Sequence, residues 1–354
     1  MRKLKSFLAN FALLAFSVIL PLTAFEWYLK WDNRRPDARK FLNEYTLNGE
    51  TYRFLAPPDR FDDAKHAVLI AGDSFTAGAS CADGRTFPDY FSKAAQRHGS
   101  RVHAINLGIA GTGPMSFVSR VEDYVSEKGT AAGVILSLYA NDVEIDCFAC
   151  RRAREWRRLA ALTPEQEREL DTLCEPCLRA TDNRVSSEVA GAVSLTRRLN
   201  WWLADRALSY LLFREGLAKL MFAGGLLPQD WGRGSYPARW GDLDGLHYRY
   251  IRGSVALAKA EMQRRGIPLV VLIYPDSMNL SAKNEFYDIY RRVSAALRKD
   301  VGVPVFSGYD GFLSDKRSKE NMPFSLTDTH PSCDAHEIMG DWAYQRWSES
   351  VPPQ

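Results

Sequence analysis

Ala67-Val68-Leu69-Ile70-Ala71 runs directly into Gly72-Asp73-Ser74-Phe75-Thr76-Ala77-Gly78. A short apolar run without polar alternation suits a strand buried on both faces. The same unit recurs along the chain. Val102 to Leu107 and Gly133 to Leu138 read as further strands, with helices over Thr86 to Arg97 and Phe117 to Lys128 between them. The alternation resumes with a helix from Tyr250 to Arg265, a strand from Pro268 to Tyr274 and a helix from Glu285 to Lys299. A strand from Val303 to Phe306 and a closing helix from Ala335 to Ser348 complete it. Buried strands separated by helices predict a doubly wound three-layer α/β/α sandwich around a parallel five-stranded sheet.

The 354 residues exceed this unit, and the surplus falls in two places. At the N-terminus, Arg2, Lys3 and Lys5 precede an uncharged run from Ser6 to Phe25, long enough as a helix to span a bilayer. Trp27 and Tyr28 stand where an interfacial aromatic belt would lie, and the basic flank predicts a cytoplasmic N-terminus with the body outside. Residues 1–28 therefore read as a single-pass anchor in the inner (cytoplasmic) membrane, with a cleaved signal peptide as the competing reading. Residues 29–65 read as a tether with a hairpin around Asn48-Gly49, and the body occupies 66–354. The second surplus is residues 143–247, too long for a plain loop and so a structured helical insertion. A lid beside the active site and a purely structural elaboration both fit it. The net charge of +3, with no basic tract beyond Arg151 to Arg158, excludes a nucleic-acid partner.

The chemistry gathers at the strand ends. In an open α/β sheet, ligands bind outside the carboxyl ends of the strands, which is where Ser74 stands. A lone serine after a strand serves equally well as a helix cap. Its companions point further. Asn106-Leu107-Gly108-Ile109-Ala110-Gly111 follows the second strand, and Tyr139-Ala140-Asn141-Asp142 the third. Asp328-Thr329-His330-Pro331 precedes the last helix, supplying an imidazole base and a carboxylate to orient it.

With these four segments in order, the chain resembles the SGNH (GDSL) hydrolase family, whose four sequence blocks contribute Ser, Gly, Asn and His. The resemblance covers Ala67 to Asn141 and Tyr250 to the C-terminus. It implies a flavodoxin-like sandwich in which Ser74 is the nucleophile, His330 the general base and Asp328 the orienting acid. It further implies an oxyanion hole made by the backbone N–H groups of Ser74 and Gly111 and the side chain of Asn141. Gly111, rather than Gly108, fits the family spacing. Phe75 and Ala140 stand where many members carry leucine and glycine. The acid lies two residues before His330, and Thr327 fills the more usual position. That spacing resembles envelope-polysaccharide O-acetylating and deacetylating relatives. His336 reads as a helix residue behind the site.

The expected reaction is serine-dependent ester hydrolysis of an acylated glycan or related envelope ester, without a cofactor. O-acyl transfer to an envelope polysaccharide uses the same residues. A non-catalytic scaffold of this fold, and partnership with envelope polysaccharide-modifying proteins, complete the readings. Cys147-x-x-Cys150 and Cys174-x-x-Cys177 carry a spacing that fits zinc. Outside the cytoplasm, two disulfides are the preferred state, ahead of zinc or a redox pair. Cys81 and Cys333 flank the serine and histidine blocks, and both a bridge and free thiols remain open for them.

Overall fold

The computed structural model describes residues 23–24, 44–47, 50–53, 63–78, 81, 84–179, 236–275, 285–317 and 330–351. All of the predicted anchor except residues 23–24, and most of the tether, lie outside them. No described helix is long and apolar enough to cross a membrane. The predicted hairpin is present, with β1 (Glu44–Leu47) pairing antiparallel with β2 (Glu50–Arg53).

Five parallel strands form the main sheet: β3 (Ala67–Gly72), β4 (His103–Gly108), β5 (Gly133–Leu138), β6 (Leu269–Ile273) and β7 (Val305–Ser307). Their order across the sheet is β4-β3-β5-β6-β7. The chain therefore reverses its direction of growth between β3 and β5. A crevice opens at such a switch point beyond the carboxyl ends of the two strands. The nucleophile segment leaves β3 and the asparagine segment leaves β5, so the topology sets them on the two lips of that crevice.

The helices are α1 (Ser74–Ala77), α2 (Phe87–Arg97), α3 (Pro114–Lys128), α4 (Cys147–Arg151), α5 (Ala153–Ala160), α6 (Pro164–Arg179), α7 (Tyr236–Gly241), α8 (Leu246–Arg264), α9 (Glu285–Val301), α10 (Gly308–Ser314) and α11 (Cys333–Ser350). Period-two alternation divides each strand between two cores. Leu69 and Ala71 face Phe117, Val121, Ile251, Val293 and Leu297 on one side. Val68 and Ile70 face Phe87, Phe91, Ile338 and Trp347 on the other. Each fully buried large apolar side chain contributes about 1.5–3 kcal/mol, so both faces drive the layering. The predicted elements are all present, β5 with the predicted ends and the others with shifted ends. Helix α3 starts at Pro114, three residues before the apolar pattern begins, because proline is preorganised for the first helical position.

Part of the insertion is described. Helices α4, α5 and α6 pack around Trp156, Leu170 and Ala149, and Tyr250 of α8 joins this third cluster. Two disulfides, Cys147–Cys177 and Cys150–Cys174, staple α4 to α6. Neither Cys-x-x-Cys pair closes on itself, which corrects the redox-pair alternative. All four sulfurs are engaged, which removes the thiolates a zinc site would need and corrects the zinc alternative as well. Cys81 and Cys333 are also bridged, so the free-thiol reading of that pair fails. Residues 180–235 of the insertion lie outside the described residues.

Candidate active site

Strand β3 ends at Gly72, and the chain turns at once into the single-turn helix α1. Asp73 caps it, its Oδ1 accepting from the Phe75 N–H at 2.9 Å. Ser74 is therefore the first helical residue, whose N–H has no partner within the helix. The half-buried Ser74 side chain meets His330 across a separation of 256 residues, with Nε2 and Oγ 2.8 Å apart. His330 rests beside the Phe75 ring, at 5.0 Å between centroids, and Phe75 stacks on Tyr139 at 3.6 Å. An imidazole at this distance can take the hydroxyl proton as the oxygen attacks.

Strand β4 braces the turn from behind. The Asn106 amide donates to the Thr76 carbonyl at 3.0 Å, and its Oδ1 accepts from the Gly108 N–H at 2.9 Å. At Gly108 a side chain is forbidden, because an added Cβ would lie 2.3 Å from the Ala77 nitrogen. Gly111 is different. It is exposed, has φ +73° and meets nothing within 4 Å of an added Cβ. A backbone in this left-handed conformation presents its N–H without a side chain in the way. Arg120 links the two segments: Nη2 donates to the Gly72 carbonyl at 2.8 Å, and Nη1 to Thr112 and Ser116.

Asn141 lies in a short 3-10 turn, Ala140–Val143, that follows β5. Asp142 fixes the turn by accepting from the Tyr139 N–H at 2.7 Å, and Trp240 donates to the Ala140 carbonyl at 2.7 Å. Burial raises the pKa of the Asp73 carboxyl; the Phe75 N–H, the Asn141 side chain and the charge of His330 oppose that rise. Asp142 is pushed well above the ordinary carboxylate range, first by burial and then by the Asp73 charge. Two buried carboxyls thus lie close together, the Asp73 charge disfavouring ionisation of Asp142. Behind His330, the fully buried His336 accepts from the Phe87 N–H through Nδ1 at 3.1 Å. Burial and the neighbouring His330 lower its pKa to about 3, so it stays neutral.

The structure thus brings Ser74 and His330 together and sets the Gly111 and Asn141 segments at the ends of β4 and β5. Asp328 and Thr327 lie outside the described residues. Sequence reasoning gave no role to Arg120, to Asn106 as a brace, or to Asp146, which accepts from the Ala149 N–H at 2.7 Å. No local sequence signal marks the roles of Arg120 and Asn106, which rest on contacts between distant positions. Among the described residues, no cluster of histidine, cysteine or carboxylate could hold a metal ion.

No family model and no curated protein matches the sequence. Solved structures with similarity include the lipase/acylhydrolase from Enterococcus faecalis, at 12% identity and TM-score 0.41, covering 82% of this chain and 98% of that one. The psychrotrophic esterase EstA from Pseudoalteromonas sp. has 11% identity and TM-score 0.38, with 80% and 97% covered. A GDSL-like lipase from Bacteroides thetaiotaomicron VPI-5482 has 13% identity and TM-score 0.35, with 83% and 93% covered.

Proposed function

We propose that this chain is an SGNH-type serine esterase acting on an acylated glycan or related ester of the cell envelope. The observation that carries the reading is the 2.8 Å approach of His330 Nε2 to Ser74 Oγ at the switch point of the sheet. Ser74 attacks the acyl carbonyl while His330 removes its proton. The tetrahedral oxygen is met by the N–H of Ser74, the N–H of Gly111 and the Asn141 amide. His330 then returns the proton to the departing alcohol, leaving an acyl-serine. Water, deprotonated by the same imidazole, releases the acid. Asp328 is assigned to hold the second imidazole nitrogen and stabilise the imidazolium that forms. No step calls for a cofactor.

The three disulfides support a body outside the cytoplasm, since thiols are kept reduced within it. With the basic-flanked apolar run at the N-terminus, they support an inner-membrane protein whose catalytic body faces the envelope. An acylated glycan is an ester class present there, and a lipid ester is the next choice. The same acyl-serine passes its acyl group to a sugar hydroxyl if an acceptor displaces water. The test supplies an acetylated oligosaccharide and an unacetylated acceptor together. Free acetate with an unmodified acceptor is the result expected. Acetyl transfer would make the protein an O-acyltransferase, and no turnover of any ester would overturn the reading.

A further inference from the structure

Four short links close a ring around Ser74 and His330. The Gly78 N–H donates to the Ser74 carbonyl, and the Cys81 N–H donates to the Gly78 carbonyl at 3.0 Å. Cys81 is bridged to Cys333, with their Cα atoms 5.3 Å apart. Cys333 stands three residues after His330, within about 10 Å of extended chain. The turn bearing the serine is thereby fastened to the start of the helix that follows the histidine. We propose that the Cys81–Cys333 disulfide is a positioning device for catalysis, and that opening it weakens the Ser74–His330 contact and lowers turnover. This inference rests on the esterase reading.

The other ties between these segments lie farther along α11. Arg85 meets Asp334 at 3.6 Å, with both side chains largely exposed, a kind of pair that contributes little. The Phe87 N–H bonds to His336, a little less than one turn beyond the bridge. Ser332 caps the helix locally through the Ala335 N–H. Of the three ties between the segments, the disulfide is the covalent one and the nearest to His330 in sequence. A displacement of 1 Å between reacting groups can lower a rate about a hundredfold, so a modest slackening suffices.

The two halves of the bridge differ in access. Cys81 is buried, at 2% exposure, whereas Cys333 is partly exposed and open to attack by a small thiolate. A dithiol would transfer two electrons and two protons to the bridge. The products are the Cys81 and Cys333 thiols and the oxidised, cyclic form of the dithiol.

The test compares wild type with the Cys81→Ala/Cys333→Ala double variant and with a Cys150→Ala/Cys174→Ala control that opens a bridge in the insertion. A tagged fluorophosphonate reads the reactivity of Ser74, p-nitrophenyl acetate gives kcat and KM, and circular dichroism with urea unfolding reads the fold. The expected result is a tenfold or larger fall in labelling rate and kcat for the first variant, with KM within a few fold and the fold retained. The control should label at the wild-type rate. If the first variant does not fold, graded dithiol treatment of wild type with alkylation mapping replaces it. Activity should then fall in step with alkylation at Cys81 and Cys333 and return on reoxidation. Wild-type reactivity with the bridge open overturns the proposal. If oxidised wild type is not labelled, the esterase reading fails instead. The bridge is then judged by the His330 imidazole 15N resonances, which shift on opening if the bridge positions the ring and otherwise stay unchanged.

Discussion

Gly108→Ala places one methyl group between β4 and the nucleophile turn. The added carbon would lie 2.3 Å from the Ala77 nitrogen, 2.7 Å from the Thr76 carbonyl carbon and 2.9 Å from the Ala77 Cα. All three are backbone atoms, so no side chain can rotate away. Restoring the 3.4 Å at which ordinary contact begins requires the turn to retreat by about 1 Å. Overpacking of this kind costs about 1–3 kcal/mol of stability. The same retreat carries Ser74 with it. A Ser74–His330 distance of 2.8 Å lengthened by about 1 Å passes the hydrogen-bond limit, and kcat should fall by about a hundredfold. Gly111→Ala is the internal comparison. It meets open space, keeps its N–H and pays only for φ +73°, about 1 kcal/mol. Urea unfolding and fluorophosphonate labelling, run on both variants, separate the effects. Wild-type stability and labelling in Gly108→Ala would refute the packing argument.

Ser74→Ala should lower p-nitrophenyl acetate hydrolysis by several orders of magnitude while leaving circular dichroism and urea unfolding unchanged; activity within a few fold of wild type would reject the nucleophile. For Asn141→Ala, kcat should fall by about 10²–10³ through loss of one oxyanion donor, with a smaller change in KM. Steady-state kinetics on the same ester decide it, and an unchanged kcat would exclude the donor role. His336→Gln keeps an acceptor for the Phe87 N–H but removes a titrating group. In wild type, the unfolded chain protonates this histidine below its ordinary 6.5, whereas the folded chain resists until about 3. Protons therefore favour unfolding inside that window. His336 should contribute a loss of up to about 1.4 kcal/mol per unit as pH falls from 6.5 towards 3, and nothing above it. Urea unfolding from pH 4 to 7 should show a shallower slope in the variant, and identical slopes would contradict the assignment.

Much of the sheet was legible because each strand is an unbroken apolar run ending in a polar or glycine-rich turn. Ala67 to Gly72 and Gly133 to Leu138 need no long-range knowledge to be read. The pairing of Ser74 with His330 was legible only through block order, since 256 residues separate them. What escaped is held by contacts between distant positions. Nothing local marks Asn106 as the brace of the nucleophile turn, Arg120 as the link from Gly72 to Thr112, or His336 as the acceptor for Phe87. Disulfide connectivity likewise does not follow from spacing. The four cysteines of the insertion allow three pairings, and the observed one depends on α6 lying against α4. The helix starts moved for local reasons: at α8 the Gly245 cap precedes His247 and Arg249, which interrupt the apolar pattern.

The central claim is that Ser74, activated by His330, is the nucleophile. Its most direct test is fluorophosphonate labelling of the oxidised wild-type protein followed by peptide mass spectrometry, run beside His330→Ala. The account predicts one adduct per chain on the peptide containing Ser74, formed at least a hundredfold more slowly without His330. An adduct on a different serine, or a labelling rate at Ser74 that ignores the loss of His330, would contradict it.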